Sequence, residues 1–415
     1  MRERRVVITG LGVVSCVGNS LPAFWESLTS GRSGIGPVTL FDPEGLPSAA
    51  GEVRGFSLPD PSPKEARRMS RCTRFAVGAA GEALKRAGLD FSPEKRGGDP
   101  YRFGVLFSCG AGGIDAYDRS FEALNCRGPN GVSAFFVPKF MSNSASGTVA
   151  IRFGLKGPNF APVSACASGA HAIGEGAWMI RRGDADLMLA GGAEACISRL
   201  MVSGFDALTA LSRIMPPEEA SRPFDLHREG FVLAEGACAL VLEELGHALG
   251  RGAPILAEVA GYGASCDAAH ITAPDPSGSG MVHAVRRALD GAGLPPAQVG
   301  AVYAHGTGTA TNDLVESKVM SSVFGPALPD VRVTAVKSMI GHALSVSAAF
   351  GAAAAVQTLL TGVLPPTINC TEPDPACPLN LTNRGAVRTE TGAVLIDSLG
   401  FGGHNAALIL KRWEK

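Results

Sequence analysis

The chain has 415 residues, 46% of them hydrophobic and 18% charged, a composition typical of a globular protein with a large buried core. Its 37 basic and 38 acidic residues nearly cancel, which argues against a nucleic-acid-binding protein. The ten cysteines include no CxxC pair, which argues against a zinc site or a disulfide framework and favours a reducing cytoplasm.

The segment RVVITGLGVV near the N-terminus predicts a first β-strand. A signal peptide is the alternative, but the apolar run is short, rich in glycine and lacks a clean cleavage site. Six further β-branched runs follow, with helical stretches between many of them: FGVLFSCG, DLMLAGGAEA, CALVLEE, AVYAHGTG, VRVTAV and AVLIDSLGFGG. This alternation predicts an α/β protein with largely parallel sheets, in which ligands usually meet the strand ends.

The length suggests two domains, or one large fold built from two halves. The stretch ELGHALGRGAP, from Glu244 to Pro254, is the candidate boundary, so we predict halves at residues 1–253 and 254–415. These halves do not repeat convincingly in sequence. The apolar stretch from Ala348 to Leu364 is broken by polar residues, which favours a buried helix over a membrane span.

Cys166 lies in APVSACASGAHAIGEGAWMIRRG, where small residues precede a helical pattern that ends at Gly183. The apolar positions of that pattern form a plausible buried stripe, namely Ala170, Ile173, Ala177 and Ile180. Cys166 is thus predicted at a helix N-terminus, where unpaired amides and the helix dipole can lower the pKa of a thiol. A buried cysteine acting as a small hydrophobe is the alternative.

Two further segments place histidines after strands. His305 begins HGTGTATNDLVES, in which Asp313 and Glu316 are spaced to share a helix face. In VTAVKSMIGHALS, Lys337 and His342 follow another strand, and a lysine there can fix the charge or orientation of an imidazole. The alternatives are a loop histidine without a role and a surface lysine beside a structural histidine.

In DSLGFGGHN, two glycines follow Phe401 and predict a mobile or sharply turned loop, on which an aromatic side chain can act as a gate. A core phenylalanine at a turn is the alternative, and His404 is predicted to be structural. One cysteine, two histidines and one lysine, each just after a strand, suit thioester chemistry. A thiolate takes the acyl group, and imidazoles donate hydrogen bonds to the thioester oxygen.

The segments VSACASGA, AHGTGTATND, KSMIGHA and GFGGHN resemble the four active-site segments of β-ketoacyl-acyl carrier protein synthases. The resemblance runs from RVVITGLGVVS to the C-terminus and includes the long segment SRPFDLHREGFVLAEGACALVLEE. It is greatest to the elongating synthases of type II fatty-acid systems and their polyketide relatives. It implies a thiolase-like fold, with two similar halves in a layered α-β-α-β-α arrangement.

The resemblance also implies roles for individual residues. Cys166 would be the acylated nucleophile, His305 and His342 would assist malonyl decarboxylation and stabilise the enolate, and Lys337 would support the histidine site. The backbone amides of Cys166 and Phe401 would form the oxyanion hole, and Phe401 would also gate the acyl pocket.

Thr307 and Thr309 would contact the phosphopantetheine arm of an acyl carrier protein, the partner that brings both substrates. The resemblance implies no metal and no redox cofactor. It implies a homodimer, with FVPKFMSNSASG near the partner's pocket, while a heterodimer with a related subunit stays open. Neither a membrane nor a nucleic acid is an expected partner.

Two positions inside the predicted site depart from the family pattern. Gly351, in SVSAAFGAA, stands where an acidic residue near the lysine is usual, which leaves the charge balance at Lys337 open. Ala111 stands where many fatty-acid synthases carry a bulky aliphatic residue, and it predicts a roomier acyl pocket for longer or unusual chains.

The predicted docking surface for the carrier protein is also altered. Asn130 and Thr209 stand where the fatty-acid enzymes often present arginines. Lys64, Arg67 and Arg68 still form a basic patch on a probable helix, which would speed the encounter with an acidic carrier protein. A solvated helix face is the alternative.

Three other classes of protein are the alternatives. A chain-length factor, the non-catalytic partner subunit of some ketosynthases, would lack the reactive cysteine. A thiolase would need a second cysteine near the C-terminus, but none follows Cys377. A nucleotide-binding protein is poorly supported, because neither TGLGVVS nor SCGAGGID completes a GxGxxG fingerprint.

Overall fold

The computed structural model describes residues 4–59, 62–90 and 98–414. The α-helices in these ranges are α1 (Leu21–Thr29), α2 (Pro63–Arg68), α3 (Arg71–Arg86), α4 (Ile114–Arg127), α5 (Phe136–Phe140), α6 (Ser144–Phe153), α7 (Ser168–Arg182), α8 (Arg199–Ala207), α9 (Leu245–Gly250), α10 (Ser279–Ala292), α11 (Ala310–Phe324), α12 (Lys337–Ile340) and α13 (Ser347–Thr361).

The β-strands in the same ranges are β1 (Val6–Ser15), β2 (Gly36–Pro37), β3 (Ala49–Gly51), β4 (Phe103–Ser108), β5 (Asn159–Phe160), β6 (Leu187–Glu194), β7 (Leu233–Ala234), β8 (Gly236–Glu244), β9 (Ala257–Cys266), β10 (Ala301–Tyr303), β11 (Arg332–Thr334), β12 (Val363–Leu364), β13 (Asn380–Leu381), β14 (Val387–Arg388), β15 (Ala393–Gly400) and β16 (His404–Lys411). Each of the seven predicted β-branched runs contains one of these strands.

The main sheet repeats one topology twice. Its strand order is β13-β11-β10-β15-β16-β9-β1-β8-β6-β4-β5. Numbered along the chain within each half, the strands β5-β4-β6-β8-β1 and β11-β10-β15-β16-β9 both run 3-2-4-5-1. The halves meet where β1 pairs antiparallel with β9, through Val7 opposite Glu258 and Ile8 opposite Ala257. The predicted fold of two similar halves is therefore confirmed, although the sequence itself shows no repeat.

The prediction of largely parallel sheets is wrong for the centre of the sheet. Strand β4 pairs parallel with β5 and β6, and β10 pairs parallel with β11 and β15. The pairs β6–β8, β8–β1, β1–β9, β9–β16 and β16–β15 are antiparallel. The fourth and fifth strands of each half therefore pair antiparallel with each other, which a parallel crossover does not produce.

Helices α7 and α13 form the central layer. Their apolar faces share one core with β1, β8, β15 and β16, while α3 and α6 cover the outside of the N-terminal half and α10 and α11 that of the C-terminal half. The predicted stripe of α7 is buried, and the helix ends at Gly183, whose φ of 87° favours glycine.

The apolar segment Leu344–Thr361 is long enough to span a membrane, but 83% of it is buried inside the protein. Helix α13 within it is a core helix, as predicted. Because both central helices begin between the two halves of the sheet, residues just before them lie close together.

Candidate active site

Cys166 lies in a single 3-10 turn, Ala165–Ala167, that runs directly into α7. Ala165 has φ 49°, a left-handed conformation that alanine rarely adopts, so the turn is strained. The hydroxyl of Ser168 holds the turn by donating to the Ala165 carbonyl at 2.6 Å and accepting from the Ser164 N–H at 2.7 Å. The predicted position of Cys166 at the start of a helix is confirmed.

His342 lies beside the sulfur. Its Nε2 is 3.1 Å from Cys166 Sγ, and its Nδ1 is 2.9 Å from the hydroxyl of Ser347 at the start of α13. A hydroxyl can donate or accept, so Ser347 suits either tautomer of the neutral imidazole. His342 can therefore take a proton from the thiol and later donate a hydrogen bond from Nε2.

His305 and Lys337 form a second buried pair. Lys337 Nζ donates to the His305 carbonyl and lies 3.4 Å from His305 Nδ1. An ammonium group is only a donor, so the Nδ1 that faces it must accept, and the ring proton then resides on Nε2. The ring centroids of His305 and His342 are 5.4 Å apart. Both imidazoles can thus act at one point near the sulfur.

Two acids on α11 hold the loop that carries His305. Glu316 accepts from the N–H groups of His305 at 2.7 Å and Gly306 at 2.8 Å. Asp313 accepts from the N–H groups of Thr307 and Gly308, both at 3.2 Å. Both carboxylates are buried on the helix face that their spacing predicts. Their role here is to fix the loop backbone.

Strand β15 connects Cys166 with His305. The hydroxyl of Ser398 donates to the Cys166 carbonyl at 2.9 Å and lies 3.5 Å from His305 Nδ1. The loop after β15 turns sharply, because Gly402 and Gly403 have φ values of 87° and 73° that favour glycine. This turn brings the Phe401 N–H to the Cys166 sulfur.

Burial controls the protonation of the site. It raises the pKa of the Cys166 thiol to about 11, although the charge of Lys337 and the Phe401 N–H lower it. The expectation of a lowered pKa is therefore wrong for the free protein, because the loss of hydration outweighs the charge of Lys337 and the Phe401 N–H. Burial and Lys337 hold the pKa of both His305 and His342 well below the ordinary value. At neutral pH the thiol and both imidazoles are uncharged.

Alkylation of Cys166 by iodoacetamide is expected to accelerate about tenfold per pH unit from about pH 7 to about pH 10, because the thiolate fraction grows in that proportion below the pKa of the thiol. Peptide mass spectrometry of samples quenched over time gives the rate. A short unstructured peptide with one cysteine and no charged neighbours is the control, and its rate should level off above its thiol pKa of about 8.5. A plateau for Cys166 below about pH 9 would show that the helix N-terminus does stabilise the thiolate.

A cavity of about 640 Å³ exposes the sulfur and both imidazoles. The predicted substrate-binding residues Ala111, Thr307, Thr309 and Phe401 line it. The hydroxyls of the two threonines are 2.9 Å apart. Apolar side chains form much of the remaining wall, including Val163, Met201, Phe205, Leu208, Leu344 and Leu399. The cavity suits an aliphatic chain that ends in a polar reacting group.

Ala111 has a fixed backbone. The N–H groups of Gly110 and Ala111 both donate at 3.0 Å to the carboxylate of Glu194, at the end of β6. Glu194 also accepts from the Ser345 hydroxyl at 2.6 Å. This buried acid therefore ties the wall of the cavity to the loop after His342. Sequence reasoning missed Glu194, since an acid at a strand end carries no distinctive signal.

The three residues of the predicted docking patch lie away from the cavity. Lys64, Arg67 and Arg68 are exposed on α2, and the Arg68 guanidinium stacks over the Phe135 ring at 5.6 Å. Thr209, by contrast, lines the cavity.

Cys166 Sγ and one nitrogen from each histidine lie within 4.8 Å of one another, and the same donor types occur in zinc sites. However, His342 Nε2 is paired with the sulfur, and the Lys337 ammonium 3.4 Å from the His305 ring opposes a dication. The arrangement suits thioester chemistry better, and the absence of a metal stays a prediction.

Fold and site together define a condensing enzyme of the thiolase-like class, with a buried cysteine between two neutral histidines. Family models of the N-terminal and C-terminal domains of β-ketoacyl synthases match residues 3–248 and 256–371. The chain therefore belongs to the β-ketoacyl synthase family and is an acyltransferase. The presence of Cys166 favours an active synthase over a non-catalytic partner subunit, and family membership agrees with chemistry that needs no cofactor.

Similar proteins are found along the whole chain. The 3-oxoacyl-[acyl-carrier-protein] synthase 2 of Staphylococcus aureus strain COL is 42% identical over 415 residues, covering 100% of this chain and 99% of that protein. The ishigamide ketosynthase/chain length factor matches with a TM-score of 0.91 and 36% identity, over 99% of this chain and 100% of that one. A type II polyketide ketosynthase, solved with its acyl-carrier protein, matches with a TM-score of 0.90 and 32% identity over 100% of both chains.

Proposed function

We propose that this enzyme extends an acyl chain held on Cys166 with a malonyl unit delivered by an acyl carrier protein. The observation that carries the proposal is the contact of 3.1 Å between Cys166 Sγ and His342 Nε2, in a cavity that His305 also lines. One buried site thus holds a nucleophile, a group that can take its proton, and a second hydrogen-bond donor.

In the first half-reaction, His342 takes the thiol proton as the sulfur attacks the thioester carbonyl of the acyl-carrier protein. A bond forms between Cys166 Sγ and the acyl carbon, and the bond from that carbon to the pantetheine sulfur breaks. The proton leaves with the pantetheine thiol. The N–H groups of Cys166 and Phe401 stabilise the oxyanion of the tetrahedral intermediate.

In the second half-reaction, the bond between the malonyl α-carbon and its carboxylate breaks and releases carbon dioxide. The electron pair forms an enolate, whose oxygen accepts hydrogen bonds from Nε2 of His305 and His342. The enolate carbon then attacks the acyl carbon on Cys166, and the carbon–sulfur bond breaks. The product is a β-ketoacyl-carrier protein, and the released Cys166 thiolate takes a proton from solvent.

Mass spectrometry of the intact protein and its peptides tests this function. The enzyme is mixed with a panel of acyl-carrier proteins and then with malonyl-carrier protein. We expect an acyl mass on Cys166 that disappears as a β-ketoacyl product two carbons longer forms. No loading from any donor would contradict the proposal and favour a partner-dependent or non-catalytic subunit.

The phosphopantetheine arm is proposed to enter beside Thr307 and Thr309, and the acyl chain to extend past Ala111 and Phe401. All four side chains line the same cavity as the sulfur. Phe401 is proposed to gate the chain, since its loop also supplies an N–H to the sulfur. A shift of that loop would change both the pocket and the oxyanion hole.

Ala111→Ile is expected to shorten the preferred acyl chain. The added side chain would occupy the cavity, and the two hydrogen bonds to Glu194 keep the backbone from retreating. Overpacking of about 1–3 kcal/mol corresponds to a roughly 5- to 150-fold loss of kcat/KM for the longest accepted chain. Loading rates across a series of acyl lengths measure the change, and the shortest chains serve as internal controls. An unchanged length profile would contradict the roomier-pocket proposal.

The acidic carrier protein is proposed to dock on the patch of Lys64, Arg67 and Arg68. Arg74 donates to the Ala66 carbonyl on α2 and, with Arg127 and Lys139, lines a separate cavity of about 410 Å³, in which Arg119 is paired with Asp115. Arg74, Arg127 and Lys139 would extend the basic surface beside the patch and raise the association rate.

A second copy of the chain is proposed to pack against the outer edge of the sheet, with a related subunit as the alternative. Strand β5 lies at that edge, and Ile151, Phe160 and Val163 near it are exposed apolar residues. Val137 and Met141, in the predicted dimer segment, are exposed as well. Sedimentation of the chain alone distinguishes the two partners.

We also propose that the two halves divide at residues 253 and 254, between α9 and β9. The ten free cysteines suit the cytoplasm as its compartment.

A further inference from the structure

Asp397 is a buried acid beside the site that no step above uses. It lies on β15 immediately before Ser398 and is 2% exposed. Its Oδ1 accepts the His305 N–H at 2.9 Å, and the same N–H also donates to Glu316. Its Oδ2 is buried, and the adjacent Glu316 carboxyl can donate to the Asp397 carboxylate when Glu316 is protonated.

Hydrogen bonding alone does not account for an acid at position 397. An asparagine has the same shape, and its amide oxygen could accept the same His305 N–H. A buried carboxylate costs more free energy than a buried amide. Burial raises the pKa of Asp397 to about 6 and the pKa of Glu316 well above its ordinary value, so Asp397 is the ionised member of this pair at neutral pH. What an aspartate provides and an asparagine does not is a negative charge.

Lys337 is the cation that the negative charge of Asp397 would stabilise. Asp313 already faces Arg228, with an oxygen–nitrogen distance of 3.6 Å. The acids described around Lys337 are therefore Glu316, Asp397 and the more distant Asp313, and the other titratable groups described around it are Cys166, His305 and His342. Burial lowers the pKa of Lys337, and Glu316, Asp397 and Asp313 oppose that change.

Position 351 supplies no charge to this cluster, since this chain has Gly351 where the resemblance leads us to expect an acid. A β-carbon on Gly351 would lie 3.4 Å from Ile396 Cγ2 and 3.9 Å from Tyr303 Cβ. Helix α13 therefore packs on the Ile396 side of β15, while Asp397 points to the opposite side, which faces α11.

We propose that Asp397 is a positioning residue for the condensation, which holds the His305 backbone and supplies the negative charge that keeps Lys337 an ammonium against His305 Nδ1. The proton of His305 then stays on Nε2, the nitrogen left to donate into the cavity. The adjacent Ser398 donates to the Cys166 carbonyl, so two neighbouring residues on β15 position His305 and Cys166. The inference rests on the proposed function.

Asp397→Asn tests the charge, because it keeps the shape and an acceptor. Cys166 is first loaded with an acyl group, so that its thiol no longer titrates, and malonyl-carrier protein is then added. Carbon dioxide release is followed from about pH 6 to about pH 10. The alkaline limb is expected to move to lower pH by about one unit, because Lys337 loses a stabilising charge. Acyl loading and thermal stability are measured in parallel.

Glu243→Gln is the matched control. Glu243 is as buried as Asp397 and binds His247 and Arg251, away from the site. Loss of the Glu243 charge should lower the thermal stability and leave the alkaline limb of the pH–rate profile unchanged. A uniform loss of rate in Asp397→Asn at every pH would show a merely structural role and overturn the inference.

A double-mutant cycle keeps the inference testable even if Asp397→Asn does not fold. Adding Asp397→Asn to Lys337→Met replaces both buried charges by neutral groups, which removes an uncompensated charge. The second change should then alter the rate less than about twofold. A further large loss would overturn the inference. If the wild-type enzyme accepts an acyl group but releases no carbon dioxide, the proposed function itself is wrong. If the wild type is active and only the variants behave otherwise than expected, the inference about Asp397 alone is wrong.

Discussion

Cys166→Ala is expected to abolish acyl loading and to lower chain elongation by about 10⁴-fold or more, as for the loss of other catalytic nucleophiles. The alanine variant has no atom that can form the thioester, and no other described cysteine lines the cavity. Intact-protein mass spectrometry after incubation with acyl-carrier proteins measures loading. Product release with malonyl-carrier protein measures elongation.

The fold should tolerate this change, because Ser168 and Ser398 hold the turn through backbone groups that alanine keeps. Cys126→Ala, at an exposed position on α4, is the matched control and should load at the wild-type rate. An acyl adduct that persists in Cys166→Ala would place the nucleophile elsewhere and contradict the role proposed for Cys166.

His305→Ala is expected to slow malonyl decarboxylation by about 10²- to 10⁴-fold, the range for loss of a group that stabilises developing charge. Acyl loading should change far less, since the contact between Cys166 and His342 does not involve His305. Conversion of malonyl- to acetyl-carrier protein and loading of Cys166 are measured separately on the same protein.

The backbone contacts of position 305 to Lys337, Glu316 and Asp397 remain in the alanine variant, so the loop should stay in place. His283→Ala, at an exposed position on α10, is the control and should leave both rates unchanged. Equal losses of loading and decarboxylation would contradict the division of labour between the two histidines.

The sequence was a good guide to residues that carry their own local signal. The seven β-branched runs contain strands, and the helical pattern that follows Cys166 predicted α7. The paired glycines after Phe401 predicted a sharp turn, which their positive φ values confirm. Each prediction depended on neighbours in the chain, through propensity, periodicity or backbone conformation.

Residues that act through distant contacts were not found. Ser398, Asp397 and Glu194 are ordinary polar residues in the sequence, and each gains its meaning from a partner far away in the chain. Asp397 lies 92 residues from the His305 N–H that it accepts. No spacing rule reports such a pair, because the sheet order rather than the chain order makes them neighbours.

The sequence by itself determined the α/β class and singled out Cys166, the two histidines and Lys337 as candidate site residues, since these depend on residue type and on local conformation. Only the tertiary structure decided the antiparallel centre of the sheet, the repeat of the two halves and the high pKa of Cys166. Strand pairing and burial depend on contacts between segments far apart in the chain. The free-energy cost of burying the thiolate therefore outweighs what its helix position alone implies.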